Sequence, residues 1–334
     1  MRTVSLRSLW ADSTPASETV SREPLGGSTD VDVVIVGGGL TGLWTAWYLA
    51  EADPTRRIAV VEAESIGFGA SGRNGGWCSA MLPMSHDRIA DRHGEAAAVR
   101  MQRTMHDNVK TIERFVTDHA DDHADDHSSI FHRGGTIDLA RNAPQRDRLL
   151  DEVARFEQLG FDEGDYRWLD ADEAATWCRA SRTLGALVSP HCATVHPLRL
   201  THLVARRVVD RGVAVHERTR AIRIEPGRVV TDRGTVRADT VITATEGYTS
   251  RLPGERRTYL PIYSMMIATE PLPAAVWDEI GLADRPTFAD ARHLVIYGQR
   301  TADDRLAFGG RGAPYHFGSR IRPEYDTDRR VRER

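Results

Sequence analysis

The residues of this chain with the clearest chemical potential are the glycines of the segment VVIVGGGLTG, residues 33–42, and one acidic residue beyond it. The first glycine permits a tight turn, the second lets backbone N–H groups approach a phosphate, and the third lets a helix pack closely on the preceding strand. A carboxylate after the next strand accepts hydrogen bonds from ribose hydroxyls and disfavours a 2′-phosphate. The pattern predicts a site for an adenine dinucleotide such as NAD or FAD. The turn comprises Gly37, Gly38, Gly39, Leu40, Thr41 and Gly42, and the acidic residue is Glu62.

The elements that must position this turn are predicted from short apolar runs. Residues 32–36 are nearly all apolar and β-branched, which favours a strand covered on both faces. A helix predicted over 40–52 directs free N–H groups and the positive end of its dipole towards the phosphates. Residues 58–61 predict the second strand. A glycine-rich turn without a ligand is the alternative, but the complete order of strand, turn, helix, strand and acid favours the dinucleotide site.

Length and composition limit the classes of function. The chain has 334 residues, of which 40% are hydrophobic and 28% charged, as in an ordinary globular protein. The net charge of −4 gives no reason to expect nucleic acid or an anionic membrane as a partner. The sequence has no transmembrane run, and because its N-terminal segment lacks a long apolar stretch we expect no secretory signal. Cys78, Cys178 and Cys192 lack metal-ligand spacing, so we expect no bound metal and a cytoplasmic location.

A glycine-rich loop of unusual length, residues 65–83, follows the acidic residue. A simple NAD dehydrogenase continues with regular βα repeats here, whereas this loop can run along an extended dinucleotide and bring bare backbone to a flavin ring. Ser71 and Arg73 suit a pyrophosphate, by hydroxyl donation and by charge, with a surface ion pair as the alternative for the arginine. The loop therefore favours FAD over NAD.

The remaining segments divide into a tail, helices and strands. Residues 1–30 are predicted to be a polar tail, in which Trp10 can dock into a pocket. Amphipathic stretches predict helices over 86–118 and 144–159. The tandem repeat DHADDHADDHSS, residues 118–129, allows either a Zn²⁺ or Ni²⁺ site or a solvated connection, and the repetition favours the connection. The histidines that would share one helical face are His119, His123 and His127.

Two further stretches carry a resemblance to a known family. VVIVGGGLTGLWTAWYLAE, followed by VVEAESIGFGASGRNGGW, resembles the N-terminal part of the FAD-dependent amine and amino-acid oxidoreductases. This is the family of glycine oxidase, sarcosine oxidase, D-amino-acid oxidase and γ-glutamylputrescine oxidase. GASGRNGG is most similar to the γ-glutamylputrescine oxidase-like branch. HPLRLTHLVARRVVDRG and ADTVITATEGYTSRL agree with the family, so the resemblance covers most of residues 31–320.

The resemblance implies an α/β fold, α+β overall, in which a Rossmann-like FAD-binding domain is joined to a mainly antiparallel-sheet substrate domain. It assigns residues 31–85 and 185–255 to the first domain and 86–184 and 256–320 to the second. It also implies that the backbone at Ile222 lies against the adenine and that residues 244–247 close over the pyrophosphate. Beyond the turn and Glu62, the expected cofactor-binding residues are Ala63, Ser71, Gly72, Arg73, Asn74, Gly75, Ile222, Ala244, Thr245 and Gly247.

For function, the resemblance implies oxidation of a C–N bond of an amine or amino acid by hydride transfer to the flavin. The imine then hydrolyses to an aldehyde or keto acid. Because the cofactor carries the hard step, we assign no catalytic residue. A non-catalytic dinucleotide-binding chain and another FAD- or NAD-linked dehydrogenase are the alternatives. The substrate-binding candidates, each with core packing or surface exposure as the alternative, are Trp77, Cys78, Tyr263, Tyr297 and Arg300.

The end of the chain departs from the family pattern. Family members usually continue with a substrate-binding arginine and a glycine-rich strand and helix that hold the flavin. Nothing after Gly318 resembles that closing element, and residues 321–334 are highly charged. We therefore expect a fragment or a truncated product with weak flavin retention, because a sheet that lacks a strand exposes unpaired backbone.

Overall fold

The structure is a computed structural model that describes residues 8–120 and 127–311. The described residues form two compact units. The first comprises 8–74 and 197–263, and the second comprises 75–120, 127–196 and 264–311. The assignment of these segments to a cofactor domain and a substrate domain stays a prediction.

Both units combine helices with β-sheet. The strands of the described residues are β1 Thr29–Val36, β2 Ile58–Val61, β3 Trp77–Ser79, β4 Phe131–His132, β5 Thr136–Ala140, β6 Arg167–Leu169, β7 Gly185–Ser189, β8 Cys192–Val195, β9 Ala214–His216, β10 Ala221–Glu225, β11 Arg228–Thr231, β12 Thr235–Thr243, β13 Ser264–Ala268, β14 Thr287–Asp290, β15 Ile296–Arg300 and β16 Leu306–Arg311. The α helices are α1 Leu9–Ser13, α2 Leu40–Ala52, α3 His86–His93, α4 Glu95–His119, α5 Ala143–Gln158, α6 Ala171–Trp177, α7 Pro197–Asp210 and α8 Ala274–Ile280.

The first unit is built on a six-stranded sheet with a parallel centre. Strands β12, β1, β2 and β9 run parallel in that order, and the hairpin β10–β11 extends the sheet antiparallel beside β12. Residues 33–36 of β1 and all of β2 are buried, as expected of central parallel strands. The predictions of a helix over 40–52 and a strand over 58–61 are confirmed.

The segment predicted as a polar tail is anchored in the first unit from residue 8 onwards. Trp10 is only 3% exposed and donates its indole N–H to the carbonyl of Asn74 (2.8 Å). Further along, the buried carboxylate of Glu18 pairs with the buried guanidinium of Arg199 at 2.6 Å. The buried charges therefore have partners within the unit, as a buried ion pair requires.

The second unit contains a mainly antiparallel sheet of order β13-β16-β15-β14-β5-β7-β6, in which only β14 and β5 pair in parallel. Strands β3, β8 and β4 form a separate antiparallel sheet. One face of the large sheet carries the core residues Ile137, Leu139 and Leu169, together with Trp277 of α8. The predicted fold class, a Rossmann-like unit joined to a mainly antiparallel one, is confirmed.

The helical character predicted over 86–118 is confirmed, and the structure divides this segment into two helices. Gly94 separates α3 from α4 with φ +84°, a conformation that glycine adopts without strain and that breaks helical geometry. The prediction of one helical face for His119, His123 and His127 lies partly outside the described residues. The charged segment 321–334 lies wholly outside them.

Candidate functional site

The turn between β1 and α2 brings backbone atoms closer together than a side chain would allow. A Cβ atom on Gly37 would lie 2.4 Å from the carbonyl oxygen of Ala244, and one on Gly42 would lie 2.1 Å from the carbonyl oxygen of Gly37. Gly37 also has φ +118°, which favours glycine. These two positions therefore require glycine if the turn is to keep its shape.

The N-terminus of α2 carries no side chain that would neutralise it. Gly39, the N-cap residue, offers no capping group, and the first turn contains no acidic residue. The amide of Leu40 donates to the hydroxyl of Ser71 (2.9 Å), and a Cβ atom on Gly39 would lie 2.8 Å from that hydroxyl oxygen. Because the first N–H groups of a helix have no intrahelical acceptor, this end of α2 fits the pyrophosphate of a dinucleotide.

Glu62 is held beside the turn by backbone hydrogen bonds. Its carboxylate accepts from the amide of Gly38 (2.8 Å) and from the amide of Glu64 (2.9 Å). Burial raises the pKa of the Glu62 carboxyl, although the two hydrogen bonds act in the opposite direction. Each carboxylate oxygen retains a lone pair, so the group can also accept from ribose hydroxyls.

The loop that carries Ser71 is fixed by the N-terminal segment. The hydroxyl of Ser8 donates to the carbonyl of Gly72 (3.2 Å), next to the bond between Trp10 and Asn74. Arg73 is exposed, donates to the carbonyl of Phe68 (2.8 Å) and stacks 5.0 Å from the ring of Phe68. The structure therefore brings Ser71 to the helix end and directs Arg73 to its own loop.

Two further segments of the first unit contact the turn and Glu62. The amide of Ala244 donates to the carbonyl of Val36 (2.8 Å), which places the 244–247 segment at the end of β1. The amide of Thr219 donates to the carbonyl of Glu62 (2.8 Å). Ile222 follows on β10 at a β-bulge and is 50% exposed. The other predicted cofactor residues of this unit lie in parts already described. Gly38, Leu40 and Thr41 belong to the turn and the start of α2, Ala63 follows Glu62, Gly72 and Asn74 lie in the loop of Ser71, and Thr245 and Gly247 lie in the 244–247 segment.

In the second unit, two of the predicted substrate residues lie together. The rings of Trp77 and Tyr297 meet edge to face with centroids 5.9 Å apart. A Cβ atom on Gly75 would lie 2.6 Å from the Tyr297 ring. Within the described residues the indole Nε1 of Trp77 is buried without a hydrogen-bond partner, so it is a donor available to a ligand. Sequence reasoning missed Gln299, which is 1% exposed and donates to the carbonyls of Gly75 (2.7 Å) and Gly76 (2.9 Å).

The other predicted substrate residues are placed differently. Arg300 points to the opposite face of β15 from Tyr297, where it donates to Asp304 (2.6 and 2.8 Å) and stacks on Trp277. The structure thus does not bring Arg300 to the Trp77 group. Cys78 follows Trp77 on β3, and burial, with a smaller repulsion from Cys192, raises the pKa of its thiol to about 12. It is therefore not a thiolate at neutral pH. The fifth candidate is Tyr263, which lies in the first unit just before β13.

Within the described residues, one group of three potential metal ligands is found, formed by His106, Asp165 and His191. The two imidazole rings are stacked, with an interplanar angle of 6° and centroids 3.5 Å apart. Since the ligating lone pair of an imidazole lies in its ring plane, two parallel stacked rings do not direct their lone pairs to one ion. His191 instead contacts the carboxylate of Asp165 at 2.7 Å.

Comparison with known proteins adds family evidence to this geometry. A model of the family described as DAO, FAD dependent oxidoreductase, matches residues 32–333. The gamma-glutamylputrescine oxidoreductase of Escherichia coli is 30% identical over 294 residues, which cover 86% of this chain and 66% of that protein. The probable oxidoreductase OrdL of Haemophilus influenzae is 28% identical over 313 residues, which cover 91% of this chain and 70% of that protein. The chain thus spans about two thirds of the length of these relatives.

A solved structure supports the same fold. Glycine oxidase from Geobacillus kaustophilus matches with a TM-score of 0.66 at 21% sequence identity, covering 86% of this chain and 73% of that one. At this identity the match shows the fold alone. Separately, no helix among residues 8–120 and 127–311 has the length and apolar character needed to span a membrane.

Proposed function

The chain belongs to the DAO family of FAD-dependent oxidoreductases, as its resemblance predicted, and from that premise we propose that it oxidises a C–N bond of a small amine or amino acid. One relative is a gamma-glutamylputrescine oxidoreductase and one structural neighbour is a glycine oxidase, and both of these names refer to compounds that bear an amine. The whole protein's activity is a proposal, because the chain covers about two thirds of those relatives.

The observation that carries the proposal is the arrangement around the end of α2. Gly39 leaves the helix N-terminus open, and the carboxylate of Glu62 is fixed next to it by the amide of Gly38 (2.8 Å). We propose that the helix end and Ser71 bind the pyrophosphate of FAD and that Glu62 binds its ribose. The 244–247 segment, which is bonded to the end of β1, would cover the pyrophosphate.

The residues proposed to act on the substrate side lie in the second unit. When bound, FAD supplies the acceptor for the two electrons and the hydrogen that leave the amine-bearing carbon. Trp77 offers a buried indole N–H, and the hydroxyl of Tyr297 shares a hydrogen bond with the hydroxyl of Ser264 (2.7 Å). These groups would orient the amine and shield it from water. Cys78 contributes packing, and Tyr263 stays a candidate.

Flavin extraction and reduction test the proposal. Protein incubated with excess FAD is expected to bind it and to release it on denaturation, and the visible absorbance of the bound flavin is expected to bleach when amines are added without oxygen. A colourless protein that releases NAD would favour the other dehydrogenase reading. A yellow protein that no amine or amino acid bleaches would favour the non-catalytic reading. The cytoplasmic location stays a prediction from composition.

A further inference from the structure

A cavity of about 170 Å³ opens in the second unit. Helices α4 and α5, strands β5 and β7, and residues 79–86 line it. It is smaller than the usual cavities for drug-sized ligands and suits a molecule of a few heavy atoms. None of the residues proposed above to bind FAD or substrate lines it, and the register places its Asp138 two strands from Tyr297 on the same face of the large sheet.

The sheet contributes polar residues to this cavity by simple alternation. Along β5, Ile137 and Leu139 enter the apolar core, so Thr136 and Asp138 point to the other face. The register pairs them with Ser189 and Leu187 of β7, which also line the cavity. A carboxylate therefore stands where a sheet covered by helices would normally place an apolar side chain.

One wall of the cavity is a satisfied hydrogen-bond chain. The amide nitrogen of Gln102 donates to the carbonyl of Ala80 (3.0 Å) and to the hydroxyl of Tyr166 (2.9 Å). The amide oxygen then accepts from Nε2 of His86 (3.0 Å), and the Tyr166 hydroxyl, which already accepts, donates to Nε2 of His106 (2.7 Å). This wall leaves few donors for a ligand acceptor.

Several polar side chains at the cavity lack partners. Within the described residues, the carboxyl groups of Asp138 and Glu152 take part in no side-chain hydrogen bond or ion pair, and the hydroxyl of Thr136, a residue 8% exposed, is buried without a partner. Burial raises the pKa of Asp138 to about 7, and repulsion from Glu152 and Asp290 adds to the effect. Desolvation also raises the pKa of Glu152, although the residue as a whole is exposed. The buried hydroxyl of Thr136 is costly unless a ligand satisfies it, and the half-buried carboxyl of Asp138 and the exposed carboxyl of Glu152 add acceptors and negative charge beside it.

We propose that this cavity binds the ammonium end of a small alkylamine, with Asp138 as the principal anion and Thr136 and Glu152 as further acceptors. An ammonium group brings three donors and a positive charge, which match the unpaired groups. The alkyl part would lie on the apolar lining formed by Met81, Leu82, Met84, Phe156 and Leu187. The proposal does not depend on flavin chemistry.

A metal ion fits this site less well than an organic cation. Among the described residues, His106, Asp165 and His191 form the only group of three converging His, Cys, Asp or Glu ligands, and neither Asp138 nor Glu152 belongs to such a group. Two carboxylates and a hydroxyl fall short of the six or more oxygen ligands that Ca²⁺ takes. An ammonium ion needs only the acceptors that are present.

Calorimetric titration of the FAD-loaded protein with tert-butylamine tests the proposal. This amine has no hydrogen on its amine-bearing carbon, so it cannot be oxidised there, and tert-butanol is its neutral match. We expect binding of the amine and none of the alcohol. Asp138→Asn should weaken amine binding at least about tenfold, Glu152→Gln should weaken it less, and Asp151→Asn, an exposed neighbour, should leave it unchanged.

Several results would overturn the proposal. The first is that tert-butylamine does not bind to the wild-type protein. The second is that Asp138→Asn and wild type bind tert-butylamine with equal affinity, and the third is that calcium ions from calcium chloride bind in place of the amine. Failure of the proposed function is read separately, from flavin absorbance with oxidisable amines. A protein that binds tert-butylamine through Asp138 but is bleached by no amine would keep this site and lose that function.

Discussion

The glycine turn of the first unit and the acid-lined cavity of the second unit offer ligands opposite chemistry. The turn presents backbone donors at the end of α2, where Gly39 provides no capping group. The cavity presents carboxylate and hydroxyl acceptors from Asp138, Glu152 and Thr136. The first region is therefore suited to a ligand anion and the second to a ligand cation. The character of the exposed donors or acceptors, together with the local charge, indicates which ligand each region takes.

The two regions also differ in what their ligand groups do to stability. At the turn, the tight approach of Gly37 to Ala244 and of Gly42 to Gly37 is part of the fold itself. In the cavity, the half-buried carboxyl of Asp138 opposes folding when it is ionised, because desolvation raises its pKa. Substitutions should therefore destabilise the protein at the turn and stabilise it in the cavity.

The largest expected effect is at the turn. Gly42→Ala adds a Cβ atom 2.1 Å from a backbone carbonyl oxygen, which cannot move aside as a flexible side chain would. The better helix propensity of alanine offers up to about 1 kcal/mol, and the clash should exceed it, for a net loss of about 1–3 kcal/mol in the free energy of unfolding. Urea unfolding and flavin content measure the effect.

The matched control for this change is Gly26→Ala in the same unit, where a Cβ atom meets nothing within 4 Å. It should leave stability and flavin content unchanged. Equal stability of Gly42→Ala and Gly26→Ala would remove the claim that the turn depends on close backbone contact.

The next effect concerns the acid beside the turn. Glu62→Gln removes the charge that accepts from Gly38 and Glu64, and hydrogen bonds to a charged group contribute about 1.5–3 kcal/mol. We expect the dissociation constant for FAD to rise about ten- to hundredfold, as measured by quenching of flavin fluorescence. Glu51→Gln, an exposed change of the same charge on α2, is the control. A similar loss of FAD affinity in Glu62→Gln and Glu51→Gln would show that the effect comes from net charge and not from the position of Glu62.

The cavity should show the opposite sign in stability. Because the pKa of Asp138 is raised in the folded protein, its neutral carboxyl favours the folded state. This contribution to stability is complete below the ordinary pKa of 3.8 and is lost as the pH rises through about 7. Asp138→Asn should therefore raise the free energy of unfolding relative to wild type at about pH 8 and much less at about pH 4.5. Urea unfolding at both pH values, with Asp151→Asn as control, checks this. The same gain at both values would contradict a titrating, unpaired Asp138.

The smallest expected effect lies in the N-terminal segment that fixes the loop of the first region. Trp10→Phe keeps most of the buried ring and removes the hydrogen bond to Asn74. A loss of about 1 kcal/mol in the free energy of unfolding is expected. Val20→Ala, on an exposed side chain of the same segment, should change nothing. If Trp10→Phe were equally neutral, the segment would not support the loop.

The sequence predicted the first region well because its determinants are local. The helix over 40–52 and the strand over 58–61 follow from the glycine turn, the apolar runs and Asp53-Pro54, all within about thirty residues. The Trp77 and Tyr297 contact depends on strands far apart in the chain, so only residue types suggested it. Gln299 was missed for the same reason, since its partners are the carbonyls of Gly75 and Gly76.

The pairing of Arg300 and the polar cavity at Asp138 could both have been predicted in part from the sequence. Arg300 has an acid, Asp304, four residues on, and this local pair explains why it is not free for a substrate carboxylate. Asp138 interrupts the strand TIDLA, in which the alternate residues Ile137 and Leu139 are apolar. A single acid in a strand buried on both faces indicates a polar cavity, but the position of Glu152 and the Gln102 chain required the tertiary structure.

Competition between FAD and ADP tests the central claim most directly, namely that the end of α2 and Glu62 bind the pyrophosphate and ribose of FAD. ADP carries the adenosine and both phosphates without the flavin. If the helix end and Glu62 bind these groups, ADP displaces FAD and Glu62→Gln weakens the binding of ADP and FAD by the same factor, whereas Glu51→Gln weakens neither. Failure of ADP to compete, or an ADP affinity that Glu62→Gln leaves unchanged, would contradict it.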